Sequence, residues 1–206
     1  LLSHCRGVEA ALVMSTVSVY KPHPDPWHLF REDDPLGDIM LPFARSYSIS
    51  KIAEEGVARF CAREFGIPIT IARMGASYGP RGGLPIFSLQ ALAAGNPVAT
   101  RFDPCPYSPI HDDDILAQTK PLLDAASVPA TIVNWGGDEA VSLMTWSTYL
   151  GELVGREPRL VETEASIGGV TPLYAVVNVQ RQPRSFYPQP RAYLQQKMGY
   201  LELMTK

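Results

Sequence analysis

A tyrosine stands four places before a lysine in "ARSYSISKIAEEG", residues 44–56, at the start of a run with helical spacing. Residues four apart lie one above the other on a helix, so the phenol of Tyr47 and the ammonium of Lys51 share a face. A free phenol titrates near about 10 and is a poor base at neutral pH, but an adjacent cation favours the phenolate. Such a pair can exchange a proton with a substrate hydroxyl or carbonyl. A bare YxxxK is also what two neighbours on a solvated helix face look like, so its meaning depends on the segments that position it.

Those segments alternate. "VEAALVMSTVSVY" (8–20) is apolar and β-branched, as a buried strand is, and ends in a hydroxyl-rich turn. Residues 21–45 carry Pro, Asp and Gly at a density that breaks both helix and strand, and read as a loop. From about Ser46 to Phe65 the residues Ile49, Ala53, Val57, Phe60, Cys61 and Phe65 follow helical spacing, which predicts a core-facing stripe with Glu54, Glu55, Arg59 and Arg63 outside. Gly66 and Pro68 end that helix. "IPITIAR" (67–73) is a short strand, "MGASYGPRGGLP" a loop, and a helix runs from about Pro85 to Ala94. A second strand–turn–helix unit follows at residues 130–155, with Ser142 as N-cap and Gly155 as stop. Strands alternating with helices predict an α/β protein with a mainly parallel sheet.

Composition narrows the classes. The 206 residues are 46% hydrophobic and 19% charged, with a formal charge of −3. That balance fits a globular domain and leaves no basic surface for nucleic acid. Cys5, Cys61 and Cys105 are odd in number and widely spaced, which argues against a disulfide framework or a zinc site and for a reducing cytoplasm. No stretch is suited to crossing a membrane, and no G-x-S-x-G elbow suggests hydrolysis. His111 with Asp112, Asp113 and Asp114 points in diverging directions, so a helix start is expected there and no metal. His23 and His28 are expected to be solvent-exposed; Trp135, Trp146 and Tyr149 are expected in the core or an interface.

Taken in order, these segments resemble the extended short-chain dehydrogenase/reductase family, in its NAD-dependent epimerase/dehydratase branch. "VMSTVSVY" resembles the strand-end motif with its Ser/Thr four residues before a Tyr; "REDDP" (31–35) the Glu-x-x-Pro loop; "YSISK" the YxxxK; "ARMGASYGPRGG" the R-x-x-N-x-YGP loop; "SPIHDDDI" and "IVNWGGDEAVSLMTW" the later segments. The likeness covers roughly residues 1–163. It implies a Rossmann-type doubly wound sheet, NAD or NADP as cofactor, and hydride transfer from a sugar carbon. Tyr47 would be the acid/base, Lys51 would hold the nicotinamide ribose, and Thr16 would hydrogen-bond the reacting oxygen. Ser15, Met74 and Gly75 would join Tyr47 and Lys51 in lining the cofactor, and Ala76, Arg81 and His111 would face the substrate, a nucleotide sugar. Thr16 also has the plain alternative of capping the strand-end turn. The family's homodimers through the YxxxK helix imply the same here.

The sequence departs from that pattern at several points. No glycine-rich βαβ fingerprint precedes Ser15, so the sheet would lack its first strands and the chain alone would bind NAD(P) poorly, as a fragment would. Residues 164–206 would form a small C-terminal substrate region. Ala76 stands where the family has Asn, and Tyr107 and Ser108 where an Arg often meets the diphosphate, with Arg81 and Arg101 left as anion contacts. These departures keep two alternatives open: a truncated, non-catalytic binding or scaffold protein, and a reductase of small ketones on the same fold.

Overall fold

The structure is a computed structural model that describes residues 4, 7–38, 45–100, 102–162 and 176–177. Along the chain the elements are β1 (Ala11–Thr16), a 3-10 turn (Val17–Val19), β2 (Leu29–Phe30), α1 (Tyr47–Phe65), β3 (Ile69–Met74), β4 (Ser77–Gly79), β5 (Gly82–Gly83), α2 (Leu84–Ala93), β6 (Val98–Thr100), β7 (Pro106–Tyr107), β8 (Ile110–His111), α3 (Asp112–Asp124), β9 (Thr131–Trp135), β10 (Val141–Ser142), α4 (Leu143–Val154), β11 (Leu160–Glu162) and β12 (Val176–Val177). The expected C-terminal region, like Arg101 and Cys5, otherwise lies outside the described residues.

The three longest strands make one parallel sheet in the order β1-β3-β9. Parallel neighbours need a crossover, and α1 supplies it between β1 and β3, α3 on the way to β9. Side chains alternate across the pleat and meet a different helix on each side. Ala11, Val13, Ile69, Ile71 and Ile132 pack with Ala58 and Ala62 of α1. Leu12, Ala72, Met74, Val133 and Trp135 pack with Ile115 and Leu122 around α3. Helices on both faces of a parallel sheet are the α/β, doubly wound architecture expected from the alternation.

Helix α1 corrects the expected stripe. Ile49, Val57, Phe60 and Phe65 are exposed, whereas Ser48, Glu55, Ala58 and Ala62 are buried. Small side chains let the helix come close to the sheet, and a buried guanidinium opposite Glu55 makes burial of that carboxylate tolerable. Glu54, Arg59 and Arg63 remain outside as expected. The helix ends at Gly66, whose φ of 62° suits a residue without Cβ.

The rest builds a second core. Ile86 and Leu89 of α2 meet Leu143, Trp146 and Leu150 of α4, with Tyr107 beneath Trp146. Ser142 caps α4 by accepting from the Thr145 N–H at 3.0 Å, and Gly155 stops it at φ 67°. Trp135 and Trp146 are buried, as expected. Inside the loop 21–38, a short strand appears where none is expected: β2 pairs in parallel with β12. His23 and His28 are not solvated singly: their rings stack 3.9 Å apart, and His28 Nε2 lies 3.1 Å from an Asp34 oxygen.

Candidate active site

Register brings Thr16, Met74 and Trp135 level at the C-terminal edge of the sheet. That edge is where open α/β sheets bind ligands, because each strand there hands over to a loop. Helix α1 begins over the same edge. Its buried residues Ser48, Glu55, Ala58 and Ala62 face the sheet, and Lys51 and Tyr47 lie one and two turns before Glu55, with Tyr47 exposed at the helix start.

Lys51 Nζ donates to the backbone carbonyl of Met14 at 2.8 Å and to Glu54 Oε2 at 2.6 Å. An ammonium has three N–H donors, so two are occupied and one remains. Tyr47, one turn earlier, is 41% exposed, and its hydroxyl has no partner among the described residues. Thr16 is buried; its hydroxyl accepts from the Ser18 N–H at 3.2 Å, which caps the 3-10 turn, and donates to Ser18 Oγ at 3.3 Å. The capping alternative for Thr16 is therefore realised, alongside a position at the strand end. No group of three or more His, Cys, Asp or Glu side chains among the described residues could hold a metal ion.

The other expected site residues distribute unevenly. Met74 and Gly75 follow the edge directly, and the Gly75 N–H donates to the Trp135 carbonyl at 2.8 Å. A Cβ on Gly75 would stand 2.7 Å from the Ser108 carbonyl oxygen, so the loop packing demands glycine. The Ala76 carbonyl accepts from Ile110 at 2.9 Å, and Arg81 lies exposed in the turn between β4 and β5. His111 is buried at the start of α3, where Nδ1 accepts from the Asp113 N–H at 3.1 Å; it caps a helix, with Tyr78 edge-on to its ring. The helix start expected at Asp112 to Asp114 is thus present. Ser15 alternates to the α1 side, where its hydroxyl donates to Glu55 Oε1 at 2.5 Å.

That last contact opens a buried polar layer that the sequence reading does not name. Arg73 meets Glu55 through two contacts, Nε to Oε1 at 3.0 Å and Nη2 to Oε2 at 2.8 Å. Nη1 donates to the Tyr20 hydroxyl at 3.0 Å and to the Glu32 carbonyl at 2.9 Å. Tyr20 donates on to Asn134 Oδ1, and the Asn134 N–H reaches Glu32 Oε1 at 2.8 Å. Burial pushes the Tyr20 phenol up to about 12, despite the lowering effect of the Arg73 charge. Burial pulls the Arg73 guanidinium down, and its bonds to Glu55 and Tyr20 more than offset that, leaving it raised. A signal was available: an arginine and an asparagine inside the apolar runs "ITIARM" and "TIVNW" require buried partners.

Comparison with known proteins bears on the first part of the chain. Residues 1–94 match the NAD dependent epimerase/dehydratase family. This bears out the likeness carried by the strand-end motif, YxxxK and the YGP loop. Among solved structures, the chain is similar to UDP-glucuronic acid 4-epimerase from Bacillus cereus in complex with UDP-glucuronic acid and NAD. Identity is 20%, the TM-score 0.75, and coverage 99% of this chain and 65% of that one. It is similar to the UDP-glucose 4-epimerase of Thermus thermophilus in complex with NAD, at 20% identity and TM-score 0.65, over 95% of this chain and 61% of that one. A dTDP-glucose 4,6-dehydratase from Streptomyces venezuelae with NAD and TYD bound matches at 20% identity and TM-score 0.69, over 94% and 62%. The chain thus spans less than two thirds of each of these epimerase/dehydratase chains, and what the likeness establishes is the Rossmann-type fold. No match is found among curated proteins.

Proposed function

We propose that the chain provides the acid/base half of an NAD(P)-dependent epimerase or dehydratase acting on a nucleotide sugar, with Tyr47, Lys51 and Thr16 as its reacting set. The observation that carries this reading is Lys51 anchored on the Met14 carbonyl, one helical turn from Tyr47, whose hydroxyl has no partner among the described residues. Thr16, two residues on from Met14, ends the same strand.

NAD(P), when bound, supplies the hydride acceptor. The residues present fit a nicotinamide ribose: among the described residues two of the three Lys51 N–H donors are taken, which leaves one to donate, and the Tyr47 hydroxyl can both donate and accept. Tyr47 would take the proton from the substrate hydroxyl and return it, the Thr16 hydroxyl would hold the reacting oxygen, and Lys51 would favour the charged phenol. Met74 and Gly75 would line the cofactor through backbone. Ser15 supports the site from below through Glu55. Ala76 and Arg81 would border the substrate, with His111 behind them shaping the wall.

A homodimer is part of the same reading. Ile49, Val57 and Phe60 form an exposed apolar stripe on α1, on the side away from the sheet, and a second copy of that helix is the occupant proposed.

Turnover of a panel of nucleotide sugars against simple ketones, with a nicotinamide titration followed by fluorescence, tests the proposal. Saturable cofactor binding with turnover of a nucleotide sugar is the outcome expected. Turnover of simple ketones alone would make it a small-ketone reductase, and no binding would leave a non-catalytic relative.

A further inference from the structure

We propose that the Glu55–Arg73 pair, with Tyr20, is a positioning clamp that sets helix α1 against strands β1 and β3, so that the Tyr47/Lys51 turn stays over the Thr16 strand end. The inference rests on the reading of Tyr47, Lys51 and Thr16 given above. It goes beyond that reading by assigning a task to three residues that touch none of the reacting atoms.

The geometry is specific. Side-chain exposure is 3% for both Arg73 and Glu55, and the guanidinium meets the carboxylate at two points. Two-point pairing fixes direction as well as distance, which a single contact between flexible chains does not. The remaining partners come from separate segments of the chain. Ser15, next to Thr16, donates to the same Glu55 oxygen that Arg73 Nε holds. Tyr20 lies just beyond the turn that Thr16 caps, and the Arg73 guanidinium sits 4.9 Å from the centre of its ring. Asn134 of β9 closes the layer through Tyr20 and the Phe30 carbonyl at 2.9 Å.

Glu55 is also one turn from Lys51, as Lys51 is from Tyr47, so any shift of Glu55 along the strands moves all three together. A buried pair of this kind contributes little net stability compared with apolar residues of similar volume. Its retention in the interior is explained by what it orients. Misplacement of reacting groups by about 1 Å can lower a rate by about a hundredfold.

The test uses the whole protein. In Glu55→Gln the turnover number should fall by about ten- to a hundredfold while the KM of the sugar substrate changes less than about threefold. Because this change leaves a buried arginine without its counter-charge and the protein could fail to fold, the paired replacement Glu55→Met with Arg73→Met keeps volume and removes the charges together. Tyr20→Phe keeps the ring and removes only its hydroxyl. Hydrogen exchange provides a readout that needs no activity: amides of the first two turns of α1 should exchange faster in the paired variant while those of Ile69 to Ala72 stay protected. A paired variant that folds with unchanged exchange at 47–54 overturns the clamp, as does an unchanged turnover number with only a lower melting temperature. If the unaltered protein turns over no nucleotide sugar, the functional reading fails, and the exchange measurement still decides the clamp.

Discussion

The ammonium of Lys51 is tied to the backbone carbonyl of Met14 at 2.8 Å, which fixes the second turn of α1 to the strand that ends in Thr16. A cation held by a carbonyl does not swing freely on its four-carbon stem, and its residue lies one helical turn from Tyr47. The consequence is a division of labour between two residues of one motif.

Tyr47→Phe removes only the transferable proton. On the proposed function, turnover should fall by about 10²–10⁴-fold with cofactor affinity nearly unchanged. Lys51→Ala should harm both, because on the proposed reading the same ammonium would hold the ribose and favour the charged phenol. Steady-state kinetics beside a fluorescence titration of the cofactor separate the two effects; a Tyr47→Phe enzyme with most of its activity would remove the proton-transfer role.

The motif was legible because its spacing is a property of the helix, and the strand–helix alternation was legible because strands buried on both faces are nearly continuous apolar runs. The facing of α1 was not. Ile49, Val57 and Phe60 have the spacing of a core stripe, yet the helix meets its sheet through Ala58, Ala62 and Glu55, where small size and a buried partner matter more than hydropathy. Glu55 looks like a surface acid until Arg73 is placed opposite it, and that placement depends on the parallel register of β1 and β3. The short strand inside the expected loop 21–45 is hidden for a similar reason. The partner of Leu29–Phe30 is Val176–Val177, far along the chain, and nothing local announces the pairing.

The exposed stripe carries its own expectation. Phe60 is 59% exposed and Val57 62% exposed on one side of α1. A charge placed there costs little in an isolated chain but is costly once buried against a second copy. Phe60→Asp should therefore shift the protein towards monomer in sedimentation velocity while leaving its circular dichroism unchanged. Identical sedimentation of variant and parent would place self-association elsewhere.

Gly75→Ala tests how tightly the strand-end loops are fitted. Its Cβ would press on the Ser108 carbonyl at 2.7 Å, a backbone atom that can move only with its loop. Forcing an atom into such a contact typically costs about 1–3 kcal/mol. A lower melting temperature is expected, together with exchange changes confined to residues 106–111 and 135–138. A variant as stable as the parent would mean that this loop gives way freely.

Alkaline titration bears on the buried layer. The Tyr20 phenol, ordinarily near 10, is pushed up to about 12 by burial, with Arg73 opposing. A raised folded-state value means that the fold favours the protonated phenol, so its contribution is fully present below about pH 10 and is lost as pH rises towards about 12. Two pH units correspond to roughly 3 kcal/mol over that window, an order-of-magnitude figure. The geometry gives the reason: the hydroxyl accepts from Arg73 and donates to Asn134, and a phenolate would have nothing to donate. Denaturant unfolding between pH 9 and 12 should show stability falling with a slope that Tyr20→Phe reduces. Tyr78, which burial and then the Asp114 charge also push up, remains in that variant and accounts for a residual slope. An unchanged slope in Tyr20→Phe would show that the Tyr20 hydroxyl is open to water and that the Arg73–Tyr20–Asn134 chain is not closed in solution.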